Sequence, residues 1–156
     1  MEEKELKQEC LKLMETADVT YLSTVDSKGF PQTRAMVNLR NKEQFSDLVD
    51  VFKGHEEDFM IYMTTDNASK KFKQIGENSK VSVYFCNSKQ IQGLLLTGEV
   101  EVVADNNIKR QLWQEGWKVH YPDGVDGPEY NILRLLPKIA EYWAVPTSEV
   151  AEFNIT

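Results

Sequence analysis

The stretch VTYLSTVDSKGFPQTRAMVNL, residues 19–39, decides the fold class. Its first seven residues are rich in β-branched side chains, which favour a pleated strand. Asp26-Ser27-Lys28-Gly29 then breaks the run, and Gly29 supplies the positive φ that a tight turn needs. A second extended run, Phe30–Leu39, follows at once, so the two form a β-hairpin. On the second strand Gln32, Arg34, Met36 and Asn38 share one face, and Thr33, Ala35, Val37 and Leu39 share the other. The aliphatic set suits a core. That leaves the face carrying Arg34 and Met36 to solvent, a partner or a ligand.

Upstream of the hairpin, Leu6, Cys10, Leu13 and Ala17 recur at helical spacing and predict an amphipathic helix over 2–17. Downstream, Phe45, Leu48, Val49 and Phe52 predict a short helix ending near Gly54. Strands are expected over Phe59–Thr64, Lys80–Cys86 and Ile91–Val103, with Gly93 and Gly98 marking bulges or bends in the last. Between the first two, Thr65–Lys71 is a polar turn that opens a helix with Phe72 and Ile75 inward, closed by Gly76. Asp105-Asn106-Asn107 is an N-cap cluster for a helix whose apolar side is Ile108, Leu112 and Trp113. Residues 121–128, YPDGVDGP, read as a loop. Tyr130–Leu136 reads as a strand that Pro137 interrupts before Ile139–Val145 resumes. Six to seven strands, arranged as hairpins and meanders with short helices between them, imply a mainly β, mostly antiparallel barrel with peripheral helices. The chain has no internal repeat, low-complexity segment or linker, and 156 residues suit one domain spanning 1–156.

Composition narrows the partners. Eighteen basic against 25 acidic residues give a charge of −7, which disfavours nucleic-acid or anionic-membrane binding. No run approaches the roughly 20 apolar residues of a membrane span. The N-terminus, MEEKELKQEC, lacks the apolar core of a secretory signal. Cys10 and Cys86 are too isolated for a disulfide framework. A cytoplasmic protein with reduced thiols is the expectation.

The sharpest chemical feature is the strand–turn–helix at 59–75. A helix N-terminus offers unpaired N–H groups and partial positive charge, which suit a phosphate. Thr64, Thr65 and Ser69 add hydroxyls, and Lys70 and Lys71 can neutralise a dianion. An ordinary capped helix with a solvated lysine face is the competing reading. The neighbouring Arg34 face, in an acidic chain, favours the phosphate. The glycines fit neither the dinucleotide fingerprint nor the P-loop spacing. His55 and His120 have no second ligand at metal-binding spacing, so no metal site is expected. No G-x-S-x-G elbow exists, and no catalytic acid or base stands out. Trp113, Trp117 and Trp143 suit a core, a dimer interface or a flat aromatic ligand.

Taken in order, the hairpin, Gly29-x-Pro31, Arg34-x-Met36, Thr64-Thr65-x-x-x-Ser69-Lys70-Lys71, Thr97-Gly98-Glu99-Val100 and Glu141-Tyr142-Trp143 resemble the pyridoxamine 5′-phosphate oxidase-like family of FMN-binding split β-barrels. VEVVADNNIKRQLW and YPDGVDGPEYNILRLLP resemble its general stress protein branch. The resemblance spans about residues 15–145. It implies a homodimer with FMN in a cleft at the interface and a small-molecule redox partner. It also implies that Arg34, Ala35, Met36, Val37, Asn38 and Leu39 line the flavin, and that Thr64 and Thr65 contact it. Ser69, Lys70 and Lys71 would then meet the phosphate, with Gln92 near it and Trp143 reaching the ring from the second subunit. Family members that oxidise vitamin B6 phosphates carry a basic, His-containing C-terminal motif, whereas nothing basic follows Lys138 here. Leu39 stands where a Lys often ends the flavin segment, although Arg40 is adjacent. The implied activity is a small FMN-dependent oxidoreductase. The alternatives are a flavin-binding protein without turnover, a B6 oxidase proper, or a deazaflavin or haem binder.

Overall fold

The predicted hairpin forms from β1 (Val19–Val25) and β2 (Pro31–Val37), antiparallel, with Val19 opposite Val37 and Val25 opposite Pro31. Gly29 turns the chain at φ 84° while Asp26 Oδ1 accepts from the amides of Lys28 and Phe30. This computed structural model describes residues 1–147 and 149–155. Ahead of the hairpin, α1 (Glu3–Thr16) buries Cys10, Leu13 and Met14. After it come β3 (Ile61–Asp66), α2 (Lys70–Glu77), β4 (Lys80–Asn87), β5 (Gln92–Val103), α3 (Asn106–Leu112), β6 (Tyr130–Ala144) and β7 (Ala151–Asn154). Two 3₁₀ turns, Ser46–Phe52 and Glu115–Val119, flank the sheet.

All seven strands pair antiparallel in the order β2-β1-β4-β5-β6-β3, with β7 added on β6. The two ends of this path, β2 and β3, approach each other without a ladder. The architecture is a split barrel. Inside it lie Leu22, Met36, Ile61, Met63, Val83, Phe85, Leu94, Leu96, Leu133 and Leu135. A second cluster covers the outer face of β3 and β6, where Met60, Tyr62, Tyr130 and Ile132 pack under Leu48, Phe52 and Leu112. No helix among the described residues is long and apolar enough to cross a membrane.

The structure corrects two readings and adds a strand. The faces of β2 are reversed: Met36 is buried in the barrel, while Val37 is 45% exposed and Ala35 is also exposed. The cause is register, because Thr20, Leu22 and Thr24 of β1 point inward and sit opposite Met36, Arg34 and Gln32. Pro137 does not end a strand. It lies within the 15-residue β6, opposite Gly98, where the β5–β6 register shifts, and a bulge accommodates a residue with no N–H to donate. Finally, the acidic tail forms β7, pairing Ala151–Asn154 with Tyr142–Ile139. At Gly93 a Cβ would collide with the Tyr84 hydroxyl and the Trp143 indole, so here the glycine serves a close approach.

Candidate functional site

The split between β2 and β3 is a cleft of about 520 Å³. Ala35, Met36 and Val37 form one side, Thr64, Thr65 and Asp66 the other. Each strand is paired on one edge only. The facing edges therefore carry backbone N–H and C=O groups free for a ligand. Trp117, His120 and Tyr121 close one end, delivered by the second 3₁₀ turn and the residues just after it. Lys71 closes the other.

The cationic end is built by α2 lying across β1. Ser69 caps the helix, its hydroxyl accepting from Phe72 N at 3.3 Å and standing 3.0 Å from the Thr65 hydroxyl. Arg34 is half-buried. Its Nη1 donates to Thr24 Oγ1 at 2.7 Å and its Nη2 to Gln74 Oε1 at 3.3 Å, while Thr24 Oγ1 donates to the same Gln74 oxygen at 2.6 Å. These partners are neutral. Among the described residues neither Arg34 nor Lys71 has an ion pair. Burial, with the Arg34 charge adding to it, holds the Lys71 ammonium below the usual lysine range, and Asp66 pulls the other way. Burial lowers Arg34 as well. Two half-buried cations without an ion pair, Lys71 in the cleft and Arg34 behind it, could hold an anion there, with Asp66 as the carboxylate that opposes it.

At the aromatic end Tyr121 is buried against Tyr130, with ring centroids 5.2 Å apart, and Trp117 lies 6.1 Å from the same Tyr130 ring. Burial pushes the Tyr121 phenol up, opposed by a hydrogen bond with Thr64. His120 is exposed at the mouth.

The cleft thus gathers Ala35, Met36, Val37, Thr64, Thr65 and Lys71 of the residues expected from sequence, with Ser69 and Arg34 immediately behind. Others lie elsewhere. The Asn38 side chain is buried and donates to Met14 O and Ala17 O at 2.8 and 2.9 Å, tying β2 to α1. Leu39 belongs to the second cluster and lines a different cavity. Lys70 is exposed in a shallow hollow with Asp26 and Lys73. Gln92 and Trp143 sit at the opposite end of β6, where Trp143 Nε1 donates to the Tyr84 hydroxyl at 3.3 Å and Gln92 Nε2 approaches the Tyr142 hydroxyl at 3.5 Å. Asp66, His120 and Tyr121 were not expected, and Trp117 was read only as one of three tryptophans suited to a core, a dimer interface or a flat aromatic ligand. The signal for Trp117, His120 and Tyr121 was the density of aromatic and turn residues across 113–130, whereas Asp66 ends β3 in the polar turn before α2.

The family model described as "Pyridoxamine 5'-phosphate oxidase like" matches residues 8–155. No curated protein matches the chain. Among solved structures, a Clostridium acetobutylicum protein related to general stress protein 26 of B. subtilis (pyridoxinephosphate oxidase family) is 23% identical with a TM-score of 0.78, over 99% of this chain and 97% of that one. General stress protein 26 from Bacillus anthracis str. Sterne is 21% identical with a TM-score of 0.69, over 95% and 98%. A heme binding protein from Mycobacterium smegmatis is 9% identical with a TM-score of 0.67, over 95% of this chain and 57% of that one. The split barrel is common to these structures, and the family match covers nearly the whole sequence: the chain belongs to the pyridoxamine 5′-phosphate oxidase-like family.

Proposed function

We propose that the cleft between β2 and β3 binds FMN and that the protein is a small cytoplasmic flavin oxidoreductase. The observation that carries this reading is the pair Lys71, in the cleft, and Arg34, behind it, both half-buried and without an ion pair among the described residues, in a chain of charge −7. The residues present fit the group. Lys71, with Arg34 and the Ser69 and Thr65 hydroxyls behind it, suits the phosphate; Ala35–Val37 and the wall of Trp117 and Tyr121 suit a flat ring system. A cleft of about 520 Å³ lies inside the roughly 300–1,000 Å³ typical of small-molecule sites. When bound, FMN supplies hydride or electron transfer, chemistry that belongs to the cofactor. The chain's own part is to orient the ring, hold the anion and limit water at the closed end. At about −0.3 kcal/mol per atom over roughly 31 non-hydrogen atoms, binding is worth about −9 kcal/mol, a Kd somewhat below about 1 μM.

The reading includes a homodimer. Val37 and Val19 are 45% and 36% exposed beside the cleft, on the outer face of the hairpin. Gln92 and Trp143, remote from the cleft of their own chain, then serve that of the second subunit.

The test is the visible spectrum of the protein after FMN is added and the excess removed. Bands near about 370 and 450 nm at one flavin per subunit support the reading. A colourless protein, or one that instead retains added haem with a single band near about 400 nm, contradicts it. Reduction of the bound flavin by NADH or NADPH, with reoxidation by an acceptor, separates an enzyme from a flavin-binding protein without turnover.

A further inference from the structure

Arg40 is only 4% exposed, yet among the described residues no carboxylate pairs with it. Its Nε and Nη2 donate to Met60 O at 3.1 and 2.7 Å, and Nη2 also reaches His55 O at 2.7 Å. The guanidinium lies 4.5 Å over the Phe52 ring. Nη1 is different. Among the described residues it has no hydrogen-bond partner and is not sealed from solvent. The opening is a cavity of about 300 Å³ between α1 and the first 3₁₀ turn, lined by Arg40 and walled by Leu11, Leu39, Phe45, Val49 and Phe52.

Three of the surrounding acids are already engaged, while Asp50 has no ion pair among the described residues. Glu15 pairs with Lys42 at 2.7 Å, Asp58 with His55 at 2.7 Å, and Glu56 accepts from Gly54 N at 3.2 Å. A desolvated cation with free N–H groups above an aromatic and aliphatic floor recognises an anion with an apolar body. Asp50, Glu15 and Glu56 line the cavity with Lys42, Lys53 and Arg40, three acids against three bases, so the lining carries no net positive charge that would favour a dianion over a monocarboxylate.

We propose that this cavity is a second ligand site, separate from the β2–β3 cleft, which takes a small aromatic monocarboxylate with its carboxylate on Arg40 Nη1 and its ring against Phe45 and Val49. The volume, near the lower limit of about 300 Å³ for ligand pockets, restricts the occupant to about one ring. The site also gives the segment at 46–52 a purpose, since it forms the outer wall. Phe45 lies 6.5 Å from Trp117, which lines the cleft. Occupancy is therefore sensed at the Trp117 indole.

The probe is phenylacetate, titrated into the full chain and followed by ¹H–¹⁵N NMR. Saturable shifts at Phe45, Val49 and the Trp117 indole are expected. Phenylacetamide, of the same shape without the charge, should bind at least about tenfold more weakly, the loss of one charge-assisted hydrogen bond. Arg40→Met also removes the bonds to Met60 and His55, so the mutational arm uses Val49, 40% exposed at the mouth. Val49→Glu should lower phenylacetate affinity at least about tenfold with the circular dichroism spectrum unchanged. Three results overturn the proposal: no saturable shifts, equal affinity for acid and amide, or shifts confined to Thr64 and Tyr121 in the other cleft. None of them depends on whether FMN binds.

Discussion

Lys71 and Arg34 show how much a single side chain reveals when its chemistry is its signal. Both could be singled out in the sequence, because cations beside hydroxyls at a strand–helix junction suit an anion, but packing decides which of them reach the cleft: Lys71 does and Lys70 does not. His120 and Tyr121 were not legible and Trp117 was ambiguous: an aromatic ring on a turn is equally at home in a core, and only the tertiary path carries these three to the cleft. The Lys71 environment sets a pH dependence. The ammonium form attracts the phosphate, so the advantage of FMN over riboflavin is complete below the Lys71 pKa and is lost as pH rises through it. Burial and Arg34 hold that pKa below the ordinary 10.5. The ratio of FMN to riboflavin affinity should therefore fall at a lower pH than an exposed lysine would impose, and fall again below about pH 6 as the phosphate monoester loses its second charge. Affinities of both ligands measured from pH 5 to 10 check this. A ratio flat across the alkaline range contradicts it.

At the scale of elements, α1, the hairpin, α2 and α3 were readable because their periodicity and turn chemistry are local. The facing of β2 was not. Alternation separates two faces but does not say which is inside, and here the aliphatic set of Ala35 and Val37 faces out while Met36 fills the barrel. Register with β1 decides it. Pro137 misled for a related reason: its missing N–H forbids a regular ladder, but the bulge opposite Gly98 removes the demand. Asn38 shows what such misreadings hide. Its side chain holds two carbonyls at the end of α1, and its Oδ1 accepts from Arg40 N at 3.1 Å. Asn38→Ala leaves these buried groups without their partner, at about 1–3 kcal/mol for each group that water does not reach. Urea denaturation should show a lower midpoint with an unchanged slope. A midpoint equal to that of the parent would mean that α1 is held by its apolar face alone.

At the scale of the whole molecule, the barrel's incompleteness is its usable feature. A closed ladder between β2 and β3 would satisfy both edges and leave no slot; the split leaves backbone groups, aromatic side chains and Lys71 around one cavity, with Arg34 behind it. The apolar outer face of the hairpin extends this logic to a second subunit. Sedimentation should give twice the 18.0 kDa chain mass, and Val37→Glu, which places charge on that face without touching the core, should shift the protein to monomer and weaken FMN. A monomeric parent would sever Gln92 and Trp143 from any flavin site. The cleft itself is tested most directly by FMN and riboflavin affinities, measured by flavin fluorescence quenching on the parent and on Lys71→Ala. FMN should bind the parent more tightly than riboflavin, and Lys71→Ala should weaken FMN by about 10-fold or more, the loss of one charge-assisted contact, while leaving riboflavin unchanged. Equal affinities for the two ligands on the parent, or an FMN affinity untouched by the substitution, would contradict a phosphate seat at Lys71 and with it the assignment of the cleft.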